Sequence, residues 1–498
     1  MIDTTALSLL SSLGTPPRQI AGNGRAAQQH GCIPIADSRK ANKNSLFVCI
    51  KGEQSDGHRY ITRAYEAGCR CFLVEHVPED TLPKDADIFL SDNTRRDLAL
   101  LAAAFYGHPA HGMTIIGITG TKGKTTVALM CQHIALQHNC RAGYIGTCGI
   151  LYNGNHFTTE NTTPGPLELH EYLARMRDDG IRVVFLEVSS QALWQHRVFG
   201  IPFSAVALTN LFPDHIGQGE HPDFDHYVAC KKQLLTDFGA PFVLVNADDA
   251  NVRQITKDIS ATHCGMHVPA DIQAIEVCSQ QEDGLPGMTF AYYDGKQSIP
   301  VFLPLPGEHN VSNALFALAL TAHLGINAAT AARSLKDLHI PGRLETIQAG
   351  EAMVVIDYAH NGGALRAALT SLRPYAKRHL ICLIGSVGER TQCRRVEIGQ
   401  AAGELADMTY LTADDPGFES VEDICRQMAA AMPSDAVYTI VPDRGDAIRE
   451  ALKHLQAGDV LLLAGKGDEQ YQKIAGKLVP HNDRAVVNAY LNELTVLS

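Results

Sequence analysis

The sequence predicts an α/β protein of three domains, with a parallel sheet in the middle region built around a phosphate-binding loop and a doubly wound domain at the end. Three observations carry this. A length of 498 residues corresponds to roughly three domains at about 100–200 residues each. Apolar runs of strand length alternate with helical stretches from Met113 onward, the pattern of parallel strands covered on both faces. The first of these runs, residues 113–119, passes into Gly120-Thr-Lys-Gly-Lys-Thr-Thr126 and then into a helical pattern over 127–136, the order of strand, phosphate loop and helix.

Residues 1–110 make the first expected domain. Strand-like runs at 45–50 and 71–75 are mixed there with a helical stretch at 97–106, and Gly107-His-Pro-Ala-His-Gly112 reads as a linker because glycine and proline punctuate regular structure. Residues 111–341 make the second, with strands at 183–187, 204–209 and 241–246 and a helix over 224–235. Residues 342–498 repeat the alternation, with strands at 353–357, 380–384, 408–412 and 459–464; such Rossmann-like domains present ligand groups at the carboxyl ends of their strands.

Composition narrows the partners. Hydrophobic residues make up 45% and charged residues 19%, as in ordinary soluble globular chains. A formal net charge of −12 argues against nucleic acid or an anionic membrane as the main partner, so an anionic ligand needs local positive groups. The 13 cysteines are scattered from Cys32 to Cys425 without a Cys-x-x-Cys pair, which fits reduced thiols rather than a disulfide framework or a zinc ribbon. No apolar run approaches the ~18 residues that a membrane span requires. A cytoplasmic, monomeric enzyme without membrane insertion is expected.

The chemistry starts at the loop. Gly120 and Gly123 let backbone N–H groups close on anionic oxygens, Lys124 supplies charge, and Thr125 offers a hydroxyl to Mg²⁺; Thr121, Lys122 and Thr126 complete an ATP-binding segment. The usual spacing has glycine where this chain has Lys122. Glu187 ends an apolar strand near the expected phosphates, where Mg²⁺ takes hard oxygen ligands.

The altered spacing resembles the ATP loop of the Mur ligases, which build the peptide of cell-wall precursors by ATP-driven amide formation. Asn161-Thr-Thr-Pro164, Leu186-Glu-Val-Ser-Ser190, His196-Arg197, Thr209-Asn-Leu211, Asp214-His215, Gly342-Arg343, Asp357-Tyr-Ala-His360 and Gly465-Lys-Gly467 stand in the order of MurE-type members, which add the third amino acid to UDP-N-acetylmuramoyl-L-Ala-D-Glu. The resemblance implies the three-domain Mur ligase architecture and a set of roles. Glu187 and Thr125 would serve Mg²⁺, His215 would help bind a second Mg²⁺, and Lys231 would be carbamylated to an anion that also holds metal. Asn310, Asn313, Arg343 and Asp357 would contact ATP. Ser38, within Asp37-Ser-Arg39, would bind the uridine diphosphate, Asn161, Thr162 and Thr163 the sugar–peptide, and Ser189 and Arg197 the D-Glu carboxylates, for which a planar guanidinium is suited.

The added amino acid is read from a departure. Members that use meso-diaminopimelate usually carry Asp-Asn-Pro-Arg, whereas this chain has Asp414-Asp-Pro-Gly-Phe-Glu419 and, after Gly467, Asp468-Glu469. Loss of the arginine with added acids at Asp414, Asp415, Glu419 and Glu469 suits a side-chain ammonium and favours L-lysine. Arg390 or Arg394 could supply the missing cation, which keeps meso-diaminopimelate and L-ornithine open. A folylpolyglutamate-type ligase, and more remotely a regulatory ATPase without ligase activity, are the other classes.

Overall fold

The computed structural model describes residues 4–52, 55–76, 85–217, 219–389 and 393–497, and they form two compact units. The first comprises 1–273 and 315–328, the second 274–314 and 329–498.

The first unit begins with a five-stranded sheet in the order Arg18–Ala21, Asp87–Leu90, Cys71–Val74, Ser45–Val48, Ile33–Ile35. Its apolar strands are buried on both faces, and their alternation sorts them: Leu46, Val48, Cys71 and Leu73 join one core, Phe47, Cys49, Phe72 and Val74 the other. This explains why these strands lack a polar face.

Beyond it lies the sheet that positions the phosphate loop. Thr114–Thr119 runs parallel to Val183–Glu187 on one side and Phe203–Leu208 on the other. Ala142–Gly146 lies outside the first neighbour, and Phe242–Asn246 then Thr262–Gly265 lie outside the second. Because Glu187 is in register with Ile118, and Leu208 with Thr119, both neighbours end beside the loop. To this parallel array Gly149–Tyr152 and Asn155–Phe157 add one antiparallel edge. Asn153 and Gly154 turn this hairpin with φ of 49° and 76°, the backbone that an Asn-Gly pair adopts at low cost. That dipeptide was the sequence signal for it.

The second unit contains a six-stranded sheet in the order Glu345–Ala349, Ala352–Asp357, Val460–Ala464, Leu380–Ile384, Met408–Leu411, Tyr438–Ile440, parallel except for its first strand. The last strand in sequence is inserted beside the first parallel one, with Asp357 opposite Ala464. Residues 465–469 therefore emerge next to the carboxyl ends of strands far earlier in the chain. A wholly buried ion pair, Arg444 with Asp483 at 2.6 Å, ties the helices Arg444–His454 and Asp483–Leu497 together. An antiparallel pair, Leu285–Tyr293 with Ser298–Leu303, also belongs to this unit. Among the described residues no helix is long and apolar enough to cross a membrane.

Candidate active site

The phosphate loop is held by its glycines and by the segment after the neighbouring strand. At Gly120 a Cβ would lie 1.9 Å from Thr209 Oγ1, so the approach of Thr209 demands glycine. Gly123, at φ 86°, takes the left-handed turn that starts the helix Lys124–Gln137. Thr209 Oγ1 donates to the Lys122 carbonyl at 2.6 Å, and Asn210 accepts the N–H of Thr121 through its carbonyl (3.0 Å) and that of Lys122 through Oδ1 (2.8 Å). Thr121 Oγ1 accepts the Tyr227 hydroxyl at 3.0 Å and donates to the Phe212 carbonyl at 3.2 Å. Lys124 donates to the carbonyls of Gly120 (3.0 Å) and Thr121 (3.1 Å), while Thr125 and Thr126 are buried in the first helical turn. The positive end of a 14-residue helix thus meets two lysines on one loop.

Lys122 has a visible task. Its ammonium pairs with Asp214 at 2.9 Å, which ties the 214–215 segment to the loop. Burial would raise the Asp214 carboxyl, but Lys122 prevails and holds it below the usual range. His215 adopts φ 55° and directs Nδ1 at Glu220 Oε1, 3.1 Å away, on an exposed segment.

Glu187 is fully buried and heavily donated to. It accepts Thr125 Oγ1 at 3.0 Å, the Tyr144 hydroxyl at 2.5 Å and the Thr147 N–H at 3.0 Å. Burial, then the carboxylate itself, push the Tyr144 phenol well above its ordinary range, so it remains a donor. Lys231 lies on the helix Phe224–Thr236, buried, with Nζ 2.8 Å from the Gly120 carbonyl and 4.7 Å from the Tyr227 ring centre. Burial and then the charge of Lys124 drive its amine well below the lysine range. The fold therefore gathers Thr125, Glu187 and Lys231 around the loop. Tyr144, Thr147 and Asn210 were missed as site residues; Asn210 stood within a motif segment, whereas Tyr144 gave no signal.

The proposed acceptor residues form a connected group beside Glu187. Thr163 Oγ1 donates to the Glu187 carbonyl at 2.8 Å and accepts the Ser189 N–H at 3.0 Å. Arg197 donates to the Thr163 carbonyl at 2.8 Å and, through Nε and Nη2, to Gln195. Ser189 caps the helix Ser190–Trp194, accepting the Ala192 N–H at 3.1 Å. Thr162 lies 3.1 Å from Thr147, and Asn161 is exposed. Ser38 is buried in a 3₁₀ turn capped by Asp37, whose carboxylate is held low by Arg39.

In the second unit, Asp357 accepts the N–H groups of Leu344 and Ala359 at 2.9 Å each. Arg343 stacks on Tyr358, 4.8 Å from the ring centre. Asn310 donates to the Pro306 carbonyl at 2.8 Å, and Asn313 to Asn310 Oδ1 at 3.2 Å. The acids singled out in the sequence have partners within the fold. Glu419 is taken by the buried Arg395 through two bonds of 2.8 and 2.9 Å, and Asp468 pairs with Arg484 at 3.2 Å. Asp414, Asp415 and Glu469 instead surround the buried Lys466, at 3.7 Å, 2.8 Å and in direct contact respectively. Burial lifts the Asp414 carboxyl to about 6, against the pull of Arg444 and Lys466. Three acids facing one ammonium still leave an excess of negative charge. Arg390 lies outside the described residues.

Comparison with known proteins places the chain in one family. A model of the Mur ligase middle domain matches residues 118–321, one of the Mur ligase glutamate ligase domain matches 342–467, and one of the Mur ligase family catalytic domain matches 35–106. The UDP-N-acetylmuramoyl-L-alanyl-D-glutamate--2,6-diaminopimelate ligase of Geobacillus thermodenitrificans is 35% identical over 470 residues, covering 92% of this chain and 94% of its own. That of Chlorobaculum tepidum is 36% identical, with 97% and 96% covered. UDP-N-acetylmuramyl-tripeptide synthetase 2 of Oceanobacillus iheyensis is 33% identical, with 94% and 96% covered. A solved structure of a UDP-N-acetylmuramoyl-L-alanyl-D-glutamate--2,6-diaminopimelate ligase superposes with a TM-score of 0.72 at 24% identity, covering 99% of this chain and 100% of that one. MurF of Thermotoga maritima in complex with ADP gives 0.61 at 16% identity, with 94% and 99% covered.

Proposed function

Because the chain belongs to the Mur ligase family, we propose that it is the ATP-dependent ligase that extends UDP-N-acetylmuramoyl-L-alanyl-D-glutamate by one residue in cell-wall precursor synthesis, and that this residue is L-lysine. The ligase reading is supported by the match along nearly the whole chain. The lysine reading rests on one observation, the three carboxylates around Lys466.

In this reading Gly120 to Thr126 bind the phosphates of ATP, and Asn310, Asn313, Arg343 and Asp357 contact the rest of the nucleotide. Lys124 neutralises charge on the phosphoryl group in transfer. An oxygen of the D-Glu side-chain carboxylate, oriented by Arg197 and the Thr163–Ser189 group, attacks the γ-phosphorus as the bond to ADP breaks. The neutral amine of the incoming amino acid attacks the acyl carbon, nitrogen loses a proton, and phosphate leaves. Positioning and charge neutralisation carry the reaction, and no protein nucleophile is needed.

Thr125 and Glu187 are hard oxygen donors 3.0 Å apart and suit Mg²⁺, while His215, turned toward Glu220 on an exposed segment, is assigned to a second Mg²⁺. Mg²⁺ supplies screening of phosphate charge when bound. The depressed proton affinity of Lys231 makes a neutral amine available, and its nitrogen can add CO₂ with loss of a proton to give a carbamate anion.

A competition assay with UDP-N-acetylmuramoyl-L-Ala-D-Glu, ATP and three amines tests both levels. L-Lysine should have the highest kcat/KM. A higher value for meso-diaminopimelate overturns the lysine reading alone, several relatives being named for 2,6-diaminopimelate, and so does one for L-ornithine. Amine-dependent turnover only with another acceptor overturns the assignment of UDP-N-acetylmuramoyl-L-alanyl-D-glutamate as the acceptor.

A further inference from the structure

Behind the phosphate loop, three side chains that the reaction does not use converge on one point. His226 and Cys230 are one helical turn apart on Phe224–Thr236 and so share a face. His221, fully buried, reaches them from the segment that precedes the helix. His221 Nδ1 lies 2.8 Å from His226 Nδ1, and Cys230 Sγ lies 3.8 Å from the same atom. All three donor atoms fall within 4.8 Å of one another. Ligands of a tetrahedral Zn²⁺ at about 2.0–2.3 Å from the metal stand roughly 3.3–3.8 Å apart, so adjustments of about 1 Å would complete the set.

The surroundings orient the ligands as a metal requires. The other nitrogen of His221, Nε2, is 2.8 Å from the hydroxyl of Ser190, itself buried at the start of its helix. With that N–H given to Ser190, the Nδ1 lone pair faces the other two donors, which is how outer hydrogen bonds orient metal-binding imidazoles. Trp194 walls the group, its ring centre 5.6 Å from that of His221 and 5.1 Å from that of His226. Two imidazoles and a thiol form a borderline-soft donor set, chemically unlike the oxygen donors Thr125 and Glu187.

We propose that His221, His226 and Cys230 bind a borderline-soft divalent cation of the Zn²⁺ class, separate from the Mg²⁺ that accompanies ATP. Such an ion ties His221, and through it His215, whose carbonyl accepts the His221 backbone N–H at 3.0 Å, to the helix that carries Lys231. It therefore steadies two groups assigned to the catalytic centre without touching substrate.

Co²⁺ is the spectroscopic probe. The full chain carrying Cys278→Ser and Cys393→Ser, which removes the two exposed thiols, is titrated with Co²⁺ in excess Mg²⁺. One equivalent should give a thiolate-to-cobalt charge-transfer band and tetrahedral ligand-field bands, both displaced by Zn²⁺. Cys230→Ser should abolish the charge-transfer band, His226→Ala should weaken binding at least about tenfold, and Ser190→Ala should weaken it by about tenfold through loss of the orienting bond. Far-ultraviolet dichroism of each variant establishes that it is folded. A charge-transfer band that persists in folded Cys230→Ser, or no band in the parent at micromolar Co²⁺, overturns the proposal. Either result leaves the ligase reading untouched, since amide formation is measured separately in Mg²⁺ alone.

Discussion

Lys231 Nζ lies 2.8 Å from the carbonyl oxygen of Gly120, the residue at which the central strand gives way to the phosphate loop. A buried amine is thereby anchored to the backbone proposed to meet ATP, near a second cation, Lys124, that discourages its protonation. Lys231→Ala should lose most activity, at least about 100-fold if the anion stabilises the transferring group, and recover part of it with a short carboxylic acid. CO₂-depleted buffer should lower wild-type activity, and ¹³CO₂ should give a carbamate signal absent from Lys231→Ala. Full activity in Lys231→Ala, or loss only in Lys232→Ala, refutes the role.

The same residue gives a stability prediction. A lysine whose folded proton affinity is depressed binds fewer protons than in the unfolded chain, so its cost is absent above the unfolded pKa and grows as the pH falls toward the folded value. In CO₂-depleted buffer Lys231→Met should therefore raise the melting temperature most at acid and neutral pH. The gain should fade toward the ordinary lysine range, and a pH-independent difference contradicts it.

Lys124 and Gly120 separate charge from shape in the loop. Lys124→Ala should cut phosphate release at least about 100-fold with little change in melting temperature. Gly120→Ala should instead destabilise the fold, because the new Cβ would lie 1.9 Å from Thr209 Oγ1. Near-normal turnover in Lys124→Ala sinks the nucleotide assignment.

Glu187→Gln keeps the shape but removes the negative charge that faces Thr125. ATP turnover should then need about tenfold or more additional Mg²⁺, the scale on which perturbed metal sites lose affinity. An unchanged Mg²⁺ titration argues against Glu187 as a metal group.

If the acids around Lys466 receive the incoming amine, as proposed, amine selectivity should depend on pH. Asp414, lifted to about 6, becomes fully ionised only above that pH, so KM for L-lysine should fall as the pH rises through 6. Asp415→Asn and Glu469→Gln should each lower kcat/KM for L-lysine by about tenfold, equivalent to about 1.4 kcal/mol, and that for meso-diaminopimelate by less. For stability the sign is opposite: a carboxyl raised in the fold contributes below its unfolded pKa of 3.8, and the contribution is lost as the pH rises through about 6. Asp414→Asn should remove that slope in thermal unfolding. Lys466→Met should destabilise the protein by about 3–5 kcal/mol, since it leaves three carboxylates without their central ammonium.

The sequence by itself located the strand, glycine loop and helix around Gly120 to Thr126, because groups suited to converge on phosphate come there from consecutive residues and leave a local signature. It also gave the bounds of Val183–Glu187 and Leu380–Ile384, since strands buried on both faces are continuous apolar runs. Only the tertiary structure decided the partners. Tyr144 and Thr147 meet Glu187 across 43 and 40 residues, Arg395 claims Glu419, and Lys466 enters among Asp414, Asp415 and Glu469 because its strand is inserted beside Ala352–Asp357. Charge balance at a site is a sum over neighbours in space, and a strand order that departs from chain order puts those neighbours far apart in sequence.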